Sequence, residues 1–196
     1  FLLKRVCQVY VFILSIFLGA CSAEVTQEIE VKKFPKSPPT YGILAAVTSI
    51  EPLIIGGITF SGLSEASIKM NGIADYKDNL RVGHYVSALF VDGEHHFHLS
   101  SIDIRHLVVG PVVAIIKDTI VAVGQHIVPN ELLDNSYLLL EPGHWIAVSG
   151  IRRADKVIEA TNIKRLPSQA AGLVRGEAGA ITTTTISIGK TRFLIR

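Results

Sequence analysis

The stretch Leu80-Arg81-Val82-Gly83-His84-Tyr85-Val86-Ser87-Ala88 returns, 60 positions on, as Leu140-Glu141-Pro142-Gly143-His144-Trp145-Ile146-Ala147-Val148. Both read Leu, two variable residues, Gly-His, an aromatic, and then an alternation that predicts a strand. A Gly just before a strand supplies a backbone angle that a side chain resists. The Leu three positions earlier can plug the end of the core that the strand helps to enclose. Beyond the strand, Leu99 matches Ala160 and Ile102 matches Ile163, both offset by 61. A nearly constant offset over that length predicts a domain-sized internal repeat, which limits the possible folds more than any other feature of the chain.

From Tyr41 onward the chain is rich in Ile, Val and Thr with turn residues at short intervals, a β pattern. The first unit opens with Gly42 to Val47 and turns at Glu51-Pro52. Its second strand is Leu53 to Phe60 and its third is Ala66 to Met70, stopped by Asn71-Gly72. Residues 74–80 allow one helical turn. A fourth strand, Tyr85 to Val91, leads through Asp92-Gly93 into a fifth, His95 to Ile104. In the second unit Gly110 to Ile115 is matched to the first opening and Thr119 to Gly124 to the second strand. The spacing Gly110 to Gly124 is 14, the same as Gly42 to Gly56. Only 19 positions separate Gly124 from Gly143, against 27 in the first unit, so the third strand of the second unit is expected to be reduced or missing. After a turn at Arg152 to Asp155, Val157 to Ile163 returns as the fifth strand. Gly176 to Ile181 and Thr185 to Gly189 begin a third copy, expected to reach Arg196 inside its second strand and to remain an unpaired ribbon or pair with the second unit.

The expected fold is all-β: tandem five-stranded barrels over 41–106 and 107–166, the second shortened, then a linker and partial third repeat over 167–196. Strand order with a helical turn before the fourth strand points to an OB-like barrel, with an SH3-like barrel or small sandwich as the alternative. Units of roughly 60 to 65 residues lie near the lower size limit for an independent core, and closure makes that size workable.

The N-terminus is of another character. Lys4-Arg5 and the apolar run Val6 to Phe17 predict an export signal over 1–21, with a signal helix. The run leads into Leu18-Gly19-Ala20-Cys21, which resembles the lipobox of bacterial lipoproteins. That resemblance implies cleavage before Cys21 and a diacylglycerol group on its thiol. Acyl chains contribute about 0.8 kcal/mol per buried CH₂, so several would hold the protein stably on a membrane. Ser22 in place of an Asp implies, by the lipoprotein sorting pattern, the outer membrane of a bacterial cell envelope. Residues 22–40 are polar, and the prolines at 35, 38 and 39 favour an extended, semi-rigid tether.

Cys7 and Cys21 are the only cysteines, and both belong to this leader reading, which leaves no thiol in the mature chain for a disulfide, a thiolate metal site or covalent catalysis. Loss of Lys4 and Arg5 takes Lys+Arg from 19 to 17, equal to the 17 Asp+Glu. A balance near zero argues against a nucleic-acid partner. The cluster Arg152, Arg153, Lys156, Lys164, Arg165 and Arg175 makes the last stretch locally basic, read as a solvated or headgroup-facing surface.

The repeat also resembles a bacterial domain family of unknown function, found singly or in tandem on exported proteins and lipoproteins. The residues that carry the resemblance are Gly42 with Val47, Ile55-Gly56, Ser67 to Gly72, Leu80 to Val86, and Leu99 to Ile102, with Ala160 keeping the small residue that Leu99 replaces. It implies small β-barrels and brings no catalytic residues.

Candidate ligand-binding side chains are the repeated His84 and His144, expected to cap a loop carbonyl, and the repeated Tyr85 and Trp145, which could stack a glycan on an outer face. In Glu94-His95-His96-Phe97-His98, alternate residues share a face, so His96 and His98, with Glu94, can begin a Zn²⁺ or Cu²⁺ site that still needs a third ligand. Gly-x-Ser-x-Gly, His-Glu-x-x-His and phosphate-cradling glycine loops are absent from the sequence, and the chain is read as a non-enzyme. The expected role is a binding or scaffolding module at the envelope, held by lipid, with an envelope protein or glycan as partner. The alternatives are a periplasmic metal binder and a passive spacer.

Overall fold

The computed structural model describes residues 40–93, 96–131, 133, 135–168 and 171–195. The signal segment, Cys21, the tether up to residue 39, and Glu94 and His95 lie outside the described residues. Within them the chain is all-β, and its helical pieces are two 3-10 turns.

The first half contains β1 (Thr40–Ile50), β2 (Leu53–Ile55), β3 (Ile58–Ser61), β4 (Ser67–Met70), β5 (Ile73–Ala74), a 3-10 turn (Lys77–Asn79), β6 (Tyr85–Val91) and β7 (Phe97–Ile104). Pairing runs β3-β2-β1-β6-β7, and β7 returns to β3 in parallel through Phe60↔Phe97 and Ser61↔His98. The second half contains β8 (Val108–Ile116), β9 (Thr119–Ala122), β10 (Gln125–Pro129), a 3-10 turn (Asn135–Leu139), β11 (Trp145–Arg152) and β12 (Ile158–Leu166). It pairs β10-β9-β8-β11-β12, and β12 again meets β10 in parallel, from Ile127↔Ile158 to Pro129↔Ala160. Order and strand sense agree at every step.

The register corrects two sequence expectations and bears out a third. Leu53 to Phe60 is two strands, because Gly56 and Gly57 sit at φ +58° and +81° and fold the run into a tight hairpin. That turn needs positive φ at both central residues, and Val123 and Gly124 repeat it at +49° and +70°. The second half therefore matches β2 and β3 with β9 and β10. As the shorter spacing from Gly124 to Gly143 implies, the described residues of the second half contain no counterpart of the β4–β5 hairpin (the expected third strand, Ala66 to Met70), which in the first half adds to the far edge of β7. Finally, Gly110 does not correspond to Gly42. Ala45 lies opposite Val86 and Gly110 opposite Ile146, the same place in each ladder, so the shared 14-residue spacing is a coincidence.

The offset of 61 has a structural counterpart. Leu99 and Ala160 both lie just before a one-residue bulge in the fifth pairing strand, while Ile102 and Ile163 face Ala88 and Val148 beyond it. The bulged residues are Ser100, which is exposed, and Thr161, which is buried. Each half has its own apolar core. Val47, Leu53, Ile55, Phe60, Val86 and Ile102 fill the first; Val112, Ile120, Ala122, Ile127, Ile146 and Ile158 fill the second.

After β12 the chain adds β13 (Leu173–Val174) to the edge of β8, then forms a separate three-stranded antiparallel sheet of β14 (Ala178–Ile181), β15 (Thr185–Ile188) and β16 (Thr191–Leu194). The expected break inside a second strand is thus a full meander of three. Ile186, Ile188 and Phe193 occupy the places that Ile120, Ala122 and Ile127 hold in the second half, yet they stay half-exposed where their counterparts are buried.

Candidate functional site

Gly83 and Gly143 mark corresponding corners. Gly83 has φ +83° and donates its N–H to the Val47 carbonyl at 2.8 Å; Gly143 has φ +92° and donates to the Val112 carbonyl at 2.8 Å. The following carbonyls, of His84 and His144, accept from the same two valines at 2.9 and 2.8 Å. Each imidazole Nδ1 accepts the backbone N–H three residues back, from Arg81 or Glu141, at 3.1 Å in both. The histidines therefore cap an amide rather than a carbonyl, a bond that requires an unprotonated Nδ1.

The corners differ in what lies against them. A side chain on Gly83 would overlap the Thr161 carbonyl, whereas the space around Gly143 is open within 4 Å. Thr161, turned by its bulge toward the first half, donates to the Gly83 carbonyl at 2.5 Å, and Asn162 Nδ2 donates to the Val82 carbonyl at 3.3 Å. A bulge that re-aims one side chain thus locks the two halves together. Nearby, Asn71 Oδ1 accepts the His106 N–H and its amide nitrogen meets His106 Nδ1, both at 3.0 Å, while Arg175 Nη1 donates to the His106 carbonyl at 3.2 Å.

His84 and His106 lie edge to face, 6.1 Å between centroids, and only 1% and 3% exposed. Burial, with His106, Lys164 and Arg81 nearby, lowers the His84 pKa to about 4, partly offset by Asp75. Burial, with Arg175 and Lys164, lowers His106 to about 4 as well. Both rings are neutral at pH 7. Both lie at the joint between the halves, almost wholly buried.

Two clefts flank this joint. One, of about 650 Å³, is lined by His84, Arg81, Lys164, Arg165, Asn162 and neighbouring apolar residues. The other, of about 680 Å³, takes Leu44 and Arg105 from the first half, Leu107, Arg152, Arg153 and Lys156 from the second, and Arg175, Gly176, Glu177 and Gly189 from the segment beyond. The basic cluster read as plain surface is therefore divided between two concave sites, each joined by an arginine from the first half (Arg81 or Arg105). Sequence separation hid this: the residues meet only after both halves have folded.

Arg152 organises the second cleft. Its Nη1 donates to Gln125 Oε1 at 2.8 Å and to the Lys156 carbonyl at 3.1 Å, and Nη2 donates to the Arg175 carbonyl at 3.1 Å. Gln125, 1% exposed, in turn donates to Thr191 Oγ1 at 2.7 Å and to the Ile188 carbonyl at 3.2 Å, tying in the third sheet. Among the described residues, Arg152 has no carboxylate partner, and its buried Nε has no acceptor. Burial lowers the pKa of Arg152, and burial with the nearby Arg105 charge lowers that of Arg175.

The remaining sequence candidates lie elsewhere. Tyr85 and Trp145 are half-buried at the starts of β6 and β11. Tyr85 donates to the Leu44 carbonyl at 3.3 Å, and neither ring lines either cleft. His144 lies 3.8 Å from Glu141 on the open corner. His98 lies over Gly62 and reaches Glu65 at 3.3 Å; His96 is exposed before β7, and Glu94 is outside the described residues. Among the described residues no group of three or more His, Cys, Asp or Glu is placed to hold a metal. No described helix is long and apolar enough to cross a membrane. Comparison with protein-family models, curated proteins and solved structures returns no match.

Proposed function

We propose that the chain is a lipid-anchored, non-catalytic binding module of the bacterial envelope, built from tandem OB-like barrels. Supporting the barrel reading is the cyclic pairing order 1-2-3-5-4-1 with strands three and five parallel, followed in both halves once the extra β4–β5 hairpin is set aside. Supporting the anchor are Lys4-Arg5, the apolar run and Leu18-Gly19-Ala20-Cys21. The observation that supports the binding role is the joint: Thr161 donates to the Gly83 carbonyl across the two halves, and concave sites lined from both flank it. Rigid placement of side chains from separate elements is what recognition requires. The leader and Ser22 support an outer-membrane position, and an envelope protein or glycan is the partner proposed.

Two arms of one experiment test this reading. The full chain, expressed in a diderm bacterium, is fractionated beside Cys21→Ser. Wild type is expected in the membrane fraction and the variant in the soluble periplasmic fraction; equal partitioning overturns the anchor. Thermal shift of the same chain against neutral sugars, peptides and anions reads the binding role, and a flat response to all three classes overturns it.

A further inference from the structure

We infer that the Arg152 cleft is an oxyanion site for a small phosphorylated ligand of about phosphosugar size. This inference rests on the binding-module reading and adds the ligand class to it.

Five cations line the cleft (Arg105, Arg152, Arg153, Lys156 and Arg175) against one carboxylate, Glu177. Arg105 and Arg153 are each paired, with Asp103 at 3.4 Å and Asp155 at 2.8 Å, both of them carboxylates outside the lining. Arg152, Lys156 and Arg175 have no such partner among the described residues. Like charges gathered in a partly desolvated concavity repel one another, and a chain that only needed a stable joint would gain by pairing them. A bound dianion removes that repulsion. Arg152, with both Nη1 hydrogens and one Nη2 hydrogen on protein acceptors, contributes charge more than a fork, while the guanidinium planes of Arg105 and Arg175 match phosphate oxygens in shape as well as charge.

Position points the same way. Arg152 and Arg175 are held through bonds to Gln125, the Arg175 carbonyl and the His106 carbonyl, so their orientation is set before any ligand arrives. A side chain on Gly189 would overlap Arg152 Nη1, and one on Gly176 would overlap Ile188 and press on Arg152 Nε. Leu44 and Leu107 supply an apolar wall for the uncharged part of the ligand. A volume of about 680 Å³ is within the range of small-molecule sites. The other cleft has three lining cations and only exposed arginines, where Arg152 and Arg175 are half-buried, so it serves as an internal control.

The test is calorimetric titration of the full chain with inorganic pyrophosphate and with glucose 1-phosphate at low ionic strength. It is run on wild type, on Arg105→Gln/Lys156→Gln, and on Arg81→Gln/Lys164→Gln in the control cleft. Saturable binding of either probe is expected, weakened at least tenfold in the first variant and within twofold of wild type in the second. Arg152→Gln is expected to abolish binding. Because that variant also loses joint contacts, the surface pair is the deciding variant, with circular dichroism confirming its fold. No saturable binding of either probe overturns the inference, as does equal loss in both double variants, which would mean diffuse charge attraction. A neutral ligand that shifts melting and is lost on Arg105→Gln/Lys156→Gln would overturn the ligand class while leaving the binding role standing.

Discussion

Gly83 and Gly143 separate two costs that a glycine substitution usually mixes. Both sit at positive φ, where an L side chain costs about 1–2 kcal/mol. Gly83 alone faces the Thr161 carbonyl. Gly143→Ala is therefore expected to lower unfolding free energy by about 1–2 kcal/mol, and Gly83→Ala by clearly more, because the joint must open to admit the methyl group. Urea denaturation of both variants checks the order; equal losses would mean that the Thr161 contact carries no strain. His84 and His106 give a pH prediction. Their folded pKa values, about 4, lie below the 6.5 of an unfolded histidine, so the native state binds fewer protons between those values. Stability is complete above pH 6.5 and falls as pH drops toward 4, by at most about 3 kcal/mol per histidine. The charged groups around the pair are Arg81, Lys164, Arg175 and Asp75. Denaturation midpoints between pH 7 and 4 should show the fall, and His84→Gln/His106→Gln should flatten it.

At the level of elements, the fourth and fifth strands were legible in the chain because Gly-His corners and β alternation survive in both halves. The second and third strands were not. A two-residue turn at Gly56-Gly57 looks like an interruption within one apolar run, and Val123 in the corresponding turn carries no turn signal at all. The basic clefts were invisible for a different reason: Arg105, Arg152 and Arg175 lie far apart in sequence, and no local pattern announces a joint. The third sheet shows what a covering pair of strands contributes. Ile127→Ala, in a filled core, is expected to cost about 2–5 kcal/mol. Phe193→Ala, at the equivalent place on a half-exposed face, should cost less than about 1 kcal/mol. Chemical denaturation distinguishes them, and a comparable loss would mean that the third sheet is covered as fully as the other two.

Across the whole molecule, the described residues from Thr40 onward belong to one compact unit that includes joint, clefts and third sheet. Its two halves pair their strands in the same order, with a short parallel ladder at the matching place in each: β3 with β7, and β10 with β12. Without those ladders each half is an open sheet with two free edges, and neither the joint nor the clefts would hold their geometry. Amide hydrogen exchange followed by NMR reads these ladders directly. The amides of β7 facing β3, and of β12 facing β10, are expected to exchange as slowly as those between β1 and β6 and between β8 and β11. Exchange at the rate of exposed loops in those two ladders, with the antiparallel ladders still protected, would contradict that expectation.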